Sequence, residues 1–245
     1  MKITKFIAIL CAMMITTGLF AQQQVSRKSE TTVEDEYLSN VEGVIIRELS
    51  QADDRDNKLV SLQYIQEAID AGRTSPDIQM ALDSLAGEGI TSQTRENGRL
   101  MNNFPDVRAK ACELLGQIPS EESKTTLVKI ALADNEPMVV TAAVRSLGDI
   151  GINENDEVVA AIIWSQKKYA TLNPTSSLAF EILIAYEKLA ETVQDKGPMI
   201  QSISAIASNY TYATPVRTKA YELLKKMTGM SGTNNNSSSS SKDEK

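Results

Sequence analysis

The chain contains no histidine, and of its two cysteines only Cys112 lies beyond the first 21 residues. Serine–histidine–acid and cysteine–histidine nucleophiles are therefore outside its chemistry, as are zinc sites that need imidazole. Cys112 alone cannot build a thiolate metal site, and once residues 1–21 are removed it has no partner for an intramolecular disulfide. It sits in "VRAKACELLGQI", on the apolar side beside Leu115 if that segment is a helix, where a cysteine behaves as a small hydrophobe. Carboxylates are plentiful, 32 Asp plus Glu against 25 Lys plus Arg, but no pair stands at a recognisable catalytic spacing. Asp53-Asp54 and Glu121-Glu122 fall where helices should begin, and acidic groups there complement the helix dipole. The sequence therefore assigns no catalytic, cofactor-binding or metal-binding residue, and predicts a protein that is not an enzyme.

Recognition chemistry is concentrated elsewhere. "TRENGRLMNNF" (Thr94–Phe104) carries Asn97-Gly98, two residues that tolerate the positive φ of a two-residue hairpin turn. With that turn, Glu96 faces Arg99, Arg95 faces Leu100 and Thr94 faces Met101. Neither face is strongly apolar, and an isolated two-stranded hairpin is marginal in water, so it must lean on neighbouring helices or on another molecule. Arg95, Glu96, Arg99, Leu100, Met101 and Phe104 are the candidate partner-binding residues. The competing reading has Leu100, Met101 and Phe104 sealing a gap inside the protein.

The elements that must position this hairpin are helical. "FPDVRAKACELLGQIP", "EPMVVTAAVRSLGDIG" and "TPVRTKAYELLKKM" superimpose. Val107, Ala111 and Leu115 align with Val139, Ala143 and Leu147, then with Val216, Ala220 and Leu224, and the spacing of four puts each trio on one helix face. Pro105, Pro137 and Pro215 stand at the starts, where a missing N–H costs nothing. Gly116 and Gly148 follow the third apolar position, as close packing or helix termination requires. "NPTSSLAFEILIAYEKLAE" is a divergent copy, with Pro174, Ala179 and Leu183 in the corresponding places. Self-similarity at this period is the signature of a solenoid.

The Pro-x-Val-Arg-x-x-Ala-x-x-x-Leu-Gly pattern resembles HEAT repeats, including the HEAT-like repeats of bilin lyases. Pro105, Val107, Arg108, Ala111, Leu115 and Gly116 carry it fully. Pro137, Val139, Ala143, Leu147 and Gly148 carry most of it, and Pro215, Val216, Arg217, Ala220 and Leu224 part. The resemblance implies that the motif marks the second helix of each antiparallel pair. First helices are then "EESKTTLVKIALAD" (Leu127, Ile130, Ala131), "ENDEVVAAIIWSQKKYA" (Val158, Ala161, Ile162, Trp164) and "GPMIQSISAIASNY" (Ile200, Ile203, Ile206), all amphipathic at helical period.

Upstream, Val33–Gln51 with Leu38, Val41, Ile45 and Leu49 inward and Asp54–Gly72 with Leu59, Leu62, Ile65 and Ile69 inward make another pair. Ser75–Gly89 opens a pair whose second helix begins at Pro105, with the hairpin inserted between. The expected fold is an all-α solenoid of about five HEAT-like helical hairpins over residues 33–227, with a β-hairpin insertion at 90–104. The alternative, in which Ser75–Gly89 is itself a second helix, requires a helix across Asn97-Gly98 and Asn102-Asn103, which break the pattern. By the same resemblance, Arg108 and Arg217 stitch neighbouring repeats through acids such as Asp106 or Asp134. The other reading has them grip a ligand's carboxylate.

The ends set the compartment and the excluded partners. Lys2 and Lys5 precede an apolar run from Phe6 to Phe20, followed by Ala21 and three glutamines, so residues 1–21 have the parts of a secretory signal. That run is shorter than a bilayer-spanning helix needs, and a signal anchor that stays uncleaved is the alternative to removal. Residues 22–32 read as a flexible linker and 228–245, "GTNNNSSSSSKDEK" included, as a disordered tail that cannot bury enough apolar area to order itself. Loss of Lys2 and Lys5 takes the formal charge from −7 to −9, which argues against nucleic acid and anionic lipid as partners.

The expected function is an exported, non-catalytic scaffold, periplasmic or secreted, that binds protein partners in the envelope through its curved surface and hairpin, without a cofactor. The resemblance to bilin lyases keeps a chromophore-attachment enzyme as the alternative, and the compartment allows a cell-wall polymer binder.

Overall fold

Helix-start chemistry is written at nearly every turn of the chain, and the computed structural model follows it. Ser75, Ser120, Asp54 and Asp195 each accept a hydrogen bond from a backbone N–H in the first turn of the helix they cap, which satisfies donors that would otherwise be orphaned. Proline occupies the first turn at Pro76, Pro105, Pro137 and Pro215. Residues 33–229 are described. The expected signal segment, the linker and positions 230–245 of the tail lie outside them.

Two compact units are distinguished, Met1–Asn40 and Val41–Lys245. Of the first, only the opening residues of helix α1 (Val33–Gln51) are described, with Tyr37 and Leu38 exposed. The second holds α2 (Arg55–Asp70), α3 (Pro76–Ala86), strands β1 (Arg95–Glu96) and β2 (Arg99–Leu100), α4 (Pro105–Leu115), α5 (Glu121–Ala133) and α6 (Pro137–Ile150). A 3₁₀ turn (Glu154–Asp156) leads into α7 (Glu157–Leu172), and α8 (Ser176–Leu189), α9 (Lys196–Ser208) and α10 (Thr214–Met227) complete it.

The helices form two layers. The second helices α2, α4, α6, α8 and α10 pack each against the next, and the first helices α3, α5, α7 and α9 do the same, while α3–α4, α5–α6, α7–α8 and α9–α10 close as pairs. This is an all-α solenoid with one inserted β-hairpin, and one continuous apolar core runs between the layers. Val107, Ala111, Leu115, Val139, Ala143, Leu147, Val216 and Ala220 are all buried, as the repeat spacing predicts. Leu224 is partly buried, and its neighbour Leu223 takes the deeper place. Pro76 begins a first helix, and residues 90–104 contain no helix, so the insertion lies inside the α3–α4 pair.

Four details differ from expectation. On α1 the inward face is Gly43, Ile46 and Ser50, whereas Leu38, Val41 and Ile45 are exposed. Ser61 Oγ donates to the Ile46 carbonyl at 3.0 Å and Lys58 Nζ to the Ser50 carbonyl at 3.1 Å, so polar contacts to α2 fix the helix rotation against its apolar stripe. On α7, Trp164 is 46% exposed and Ser165 is buried in its stead, its hydroxyl donating to the Ala131 carbonyl at 2.9 Å. Pro174 precedes the N-cap Thr175 of α8 rather than opening the helix. Counted from that cap, Ala179 falls where Arg108 stands in α4, three residues earlier in the repeat than the sequence alignment placed it. Gly148 does not end α6 but lies inside it, where a Cβ would come within 2.9 Å of the Ala185 Cα on α8. Gly116 serves both roles, as C-cap of α4 and in close contact with Ser146.

Candidate functional site

The insertion begins where α3 stops. Gly87 caps the helix, and the chain turns at Gly89, whose φ of +72° a side chain would strain. A Cβ there would also lie 2.5 Å from the Asn102 carbonyl oxygen, so the base of the hairpin closes backbone against backbone. Arg95 pairs with Leu100 and Glu96 with Arg99, and the Met101 N–H donates to the Thr94 carbonyl at 2.8 Å, the register that the turn dictates. Asn97 (φ 48°) and Gly98 (φ 82°) form the turn with both central residues at positive φ.

A buried polar lock holds this base. Asn102 Nδ2 donates to Glu88 Oε1 at 2.6 Å and to the Ser92 carbonyl at 2.7 Å, while its Oδ1 accepts from the Thr94 N–H at 2.9 Å. Glu88 Oε2 meets Lys58 Nζ of α2 at 2.9 Å, with both side chains nearly free of solvent. Removing one partner of such a buried pair leaves an uncompensated charge. Arg108 continues the lock: its Nη1 donates to the Glu88 carbonyl at 3.2 Å and to Asn103 Oδ1 at 2.9 Å. Its Nε and Nη2 grip the Asp134 carboxylate at 2.7 and 3.3 Å, both side chains 1% exposed. Asp134 also accepts from the Glu136 N–H, and its carbonyl accepts from Lys168 Nζ at 2.8 Å and from the Tyr169 hydroxyl at 3.0 Å. Burial beside Asp134 pushes the Tyr169 phenol up to about 12, which keeps it a donor. Arg108 is thus a stitch between neighbouring pairs, whereas Arg217, expected to act alike, forms no ion pair among the described residues and meets only Thr214 and the Tyr210 ring.

The tip of the hairpin is presented to solvent. Arg95, Glu96, Arg99 and Met101 are exposed, Leu100 is half-buried, and Phe104 packs against the core at the N-cap of α4. Arg95 folds back on its own hairpin, donating to Gln93 and to the Gly98 carbonyl. Among the described residues neither Arg95 nor Arg99 is in an ion pair. Five of the six candidates therefore sit together on the projecting strands and Phe104 belongs to the base. A cleft of about 400 Å³ opens beside them, lined by Asp53, Thr94, Glu96, Met101 and Asn102. Asp53, on the α1–α2 turn, was invisible to sequence reasoning as a neighbour of the hairpin, because only the fold brings them together.

The layer of second helices offers a different surface. Arg55 pairs with Asp106 at 2.5 Å, Arg145 with Glu181 at 2.8 Å and Glu113 at 3.8 Å, Lys188 with Asp149, and Lys219 and Lys226 with Glu187 at 2.6 and 3.1 Å. Asp106 is thereby taken by Arg55, not by a motif arginine. Burial raises the Asp106 carboxyl, but the hydrogen bonds and charge of Arg55 together with the backbone N–H groups of Asp106 and Val107 outweigh it and hold the group below its ordinary range. The cations of this layer neutralise its own acids, helix to helix. Burial pushes the Cys112 thiol far up, consistent with a packing role. Tyr212 and Tyr169 are buried, while Tyr210 and Trp164 are exposed and carry Arg217 and Lys168 at about 5 Å from their rings.

Residues 99–170, from strand β2 to the last turns of α7, match the family model described as HEAT repeats. No curated protein and no solved structure matches the chain. Among the described residues no helix is long and apolar enough to cross a membrane.

Proposed function

We propose that this HEAT-repeat protein is an exported, non-catalytic scaffold that binds a protein partner through its inserted hairpin. The observation that carries the reading is the division of labour within residues 88–108. Glu88, Asn102, Phe104 and Arg108 fix the base among buried partners, while Arg95, Glu96, Arg99 and Met101 project without any structural duty that the fold requires. A segment whose only task was to fill a gap would bury its tip. A rigid base under an exposed tip also limits the entropy lost on binding. Export rests on Lys2, Lys5 and the apolar run that follows, and places the partner in the periplasm or envelope.

Replacing Glu96–Arg99 with a short Gly-Ser turn tests the reading. The unfolding free energy should change by no more than about 0.5 kcal/mol, the range of ordinary surface substitutions, while capture of the envelope partner by the immobilised protein is lost. A large drop in stability, or capture that survives the exchange, would return the hairpin to a structural role.

A further inference from the structure

The stitch made by Arg108 recurs by position. Counting four residues on from each N-cap of the second helices, Asp54, Phe104, Glu136, Thr175 and Ala213, gives Lys58, Arg108, Val140, Ala179 and Arg217. Lys58 reaches forward to Glu88 in the connection that precedes α4, and Arg108 reaches forward to Asp134 in the connection that precedes α6. Where the cation is absent, at Val140 and Ala179, the following connections, residues 173–175 and 209–213, contain no acid at all. The rule is that a cation at this position takes a carboxylate from the following pair.

Arg217 obeys the first half of that rule and has no following pair among the described residues. Its Nε is shielded from solvent and hydrogen-bonded to nothing among the described residues, although Nε is the atom through which Arg108 binds Asp134 most closely. Its guanidinium lies over Tyr210, itself 86% exposed, and Nη2 makes only a 3.3 Å contact with Thr214. Lys225 on the same helix is also outside any ion pair of the described residues.

The other end of the tandem shows the complement. The α1–α2 turn receives no cation from upstream among the described residues, and Asp53 there is exposed. Around it Glu48, Asp53, Asp54 and Asp56 outnumber Arg47 and Arg55, and Arg55 is already paired with Asp56 and Asp106. On α1, Val41, Val44 and Ile45 are 39, 51 and 37% exposed, where a solenoid that ends in solvent carries a polar outer face. On α10, Tyr221 is 54% exposed.

We propose that α10 of one molecule docks on the α1–α2 pair of a second copy, head to tail, with Arg217 receiving the carboxylate of Asp53 as Arg108 receives that of Asp134. Such a heterologous contact leaves one open end on each side and therefore grows into a ring or a chain of copies. It goes beyond the hairpin reading and does not depend on it.

Sedimentation velocity of the purified protein over a range of concentrations reads the contact, which should strengthen with concentration and weaken with added salt. Arg217→Asp and Asp53→Arg should each weaken self-association about tenfold or more, since each places like charges opposite one another. An equimolar mixture of the two variants should regain it, because each then meets an opposite charge. Asp53 is an exposed turn residue, so Asp53→Arg carries the same expectation should Arg217→Asp fold poorly. Asp243→Asn with Glu244→Gln should leave association unchanged. A protein monomeric at every concentration, a mixture no stronger than its components, or a loss produced by the Asp243/Glu244 change would each overturn the proposal, the last by showing that tail carboxylates rather than Asp53 make the contact between copies.

Discussion

Arg108→Val tests whether the buried stitch between neighbouring pairs is an energetic unit. The native pair is 1% exposed on both sides, so removing the guanidinium strands the Asp134 carboxylate with a single donor, the Glu136 N–H at 2.9 Å. Breaking one side of a buried ion pair costs about 3–5 kcal/mol, and the lost donors to Glu88 and Asn103 add to it. The next pair provides a natural control, since Val140 stands in the arginine position there with Asn173 in place of the acid. Arg108→Val with Asp134→Asn therefore copies a combination the fold already uses. Asparagine can still accept from Glu136, and no buried charge is left. The double variant should be destabilised by less than either single change, giving a coupling of about 2–3 kcal/mol in a double-mutant cycle. Urea unfolding read by circular dichroism measures it, with hydrogen exchange across residues 88–104 reporting the local loss, because tandem repeats need not unfold in one step. Additive effects, or single variants that cost under about 1 kcal/mol, would refute the stitch as a unit.

Gly89→Ala should cost about 1–3 kcal/mol and loosen the hairpin, because it adds a Cβ at positive φ and 2.5 Å from the Asn102 carbonyl oxygen; amide exchange at Thr94 and Met101 is the readout. Gly148→Val should cost about 1–3 kcal/mol by driving α6 from α8, where even a Cβ meets backbone at 2.9 Å, as seen in the urea midpoint. Acid should weaken the contact of α8 with α10. Hydrogen bonds from Lys219 and then Lys226 hold the Glu187 carboxyl below its ordinary 4.5, so its contribution is full above that value and is lost as pH falls through the lower folded one. Glu187→Gln should remove that part of the stability–pH slope below about pH 4.5, measured by unfolding at successive pH values, and an unchanged slope would count against the pair.

The parts of this fold that repeat were readable in the sequence, and the parts that depend on rotation or on distant contacts were not. Val107, Ala111, Leu115 and their counterparts fixed the buried face of the second helices because a spacing of four leaves only one way to turn such a helix. Asn97-Gly98 fixed the hairpin register because few residues tolerate that turn. On α1, Leu38, Val41 and Ile45 offered an equally regular stripe, yet Ile46 is buried, since Ser61 and Lys58 of α2 claim the carbonyls of Ile46 and Ser50 and turn the helix with them. No periodicity encodes that choice. The α8 register slipped for a related reason: Pro174 resembles the prolines that open the other helices, but Thr175 stands between it and the helix. Asp106 and Asp134 looked equivalent as partners for Arg108 until the fold gave Asp106 to Arg55.

The hairpin follows from the same logic as the stitches. Every other connection between a first and a second helix is a few residues long, and in the α5–α6 turn a single acid, Asp134, meets the cation of the preceding pair. In the α3–α4 connection that task is split. Glu88 takes Lys58, and Asn102, two residues before the N-cap like Asp134, takes Glu88. The strands emerge between these two anchors, so the chain can extend outward from residues 93 to 101 while the core contacts of Lys58 and Arg108 stay intact. An insertion placed there disturbs no helix packing, and the side chains at its tip are free to be chosen for a partner. Lys58→Met, which removes the anchor on α2 without touching the tip, should accordingly weaken partner capture as well as stability, and capture that persists at full strength in the folded variant would mean that the tip binds without its base.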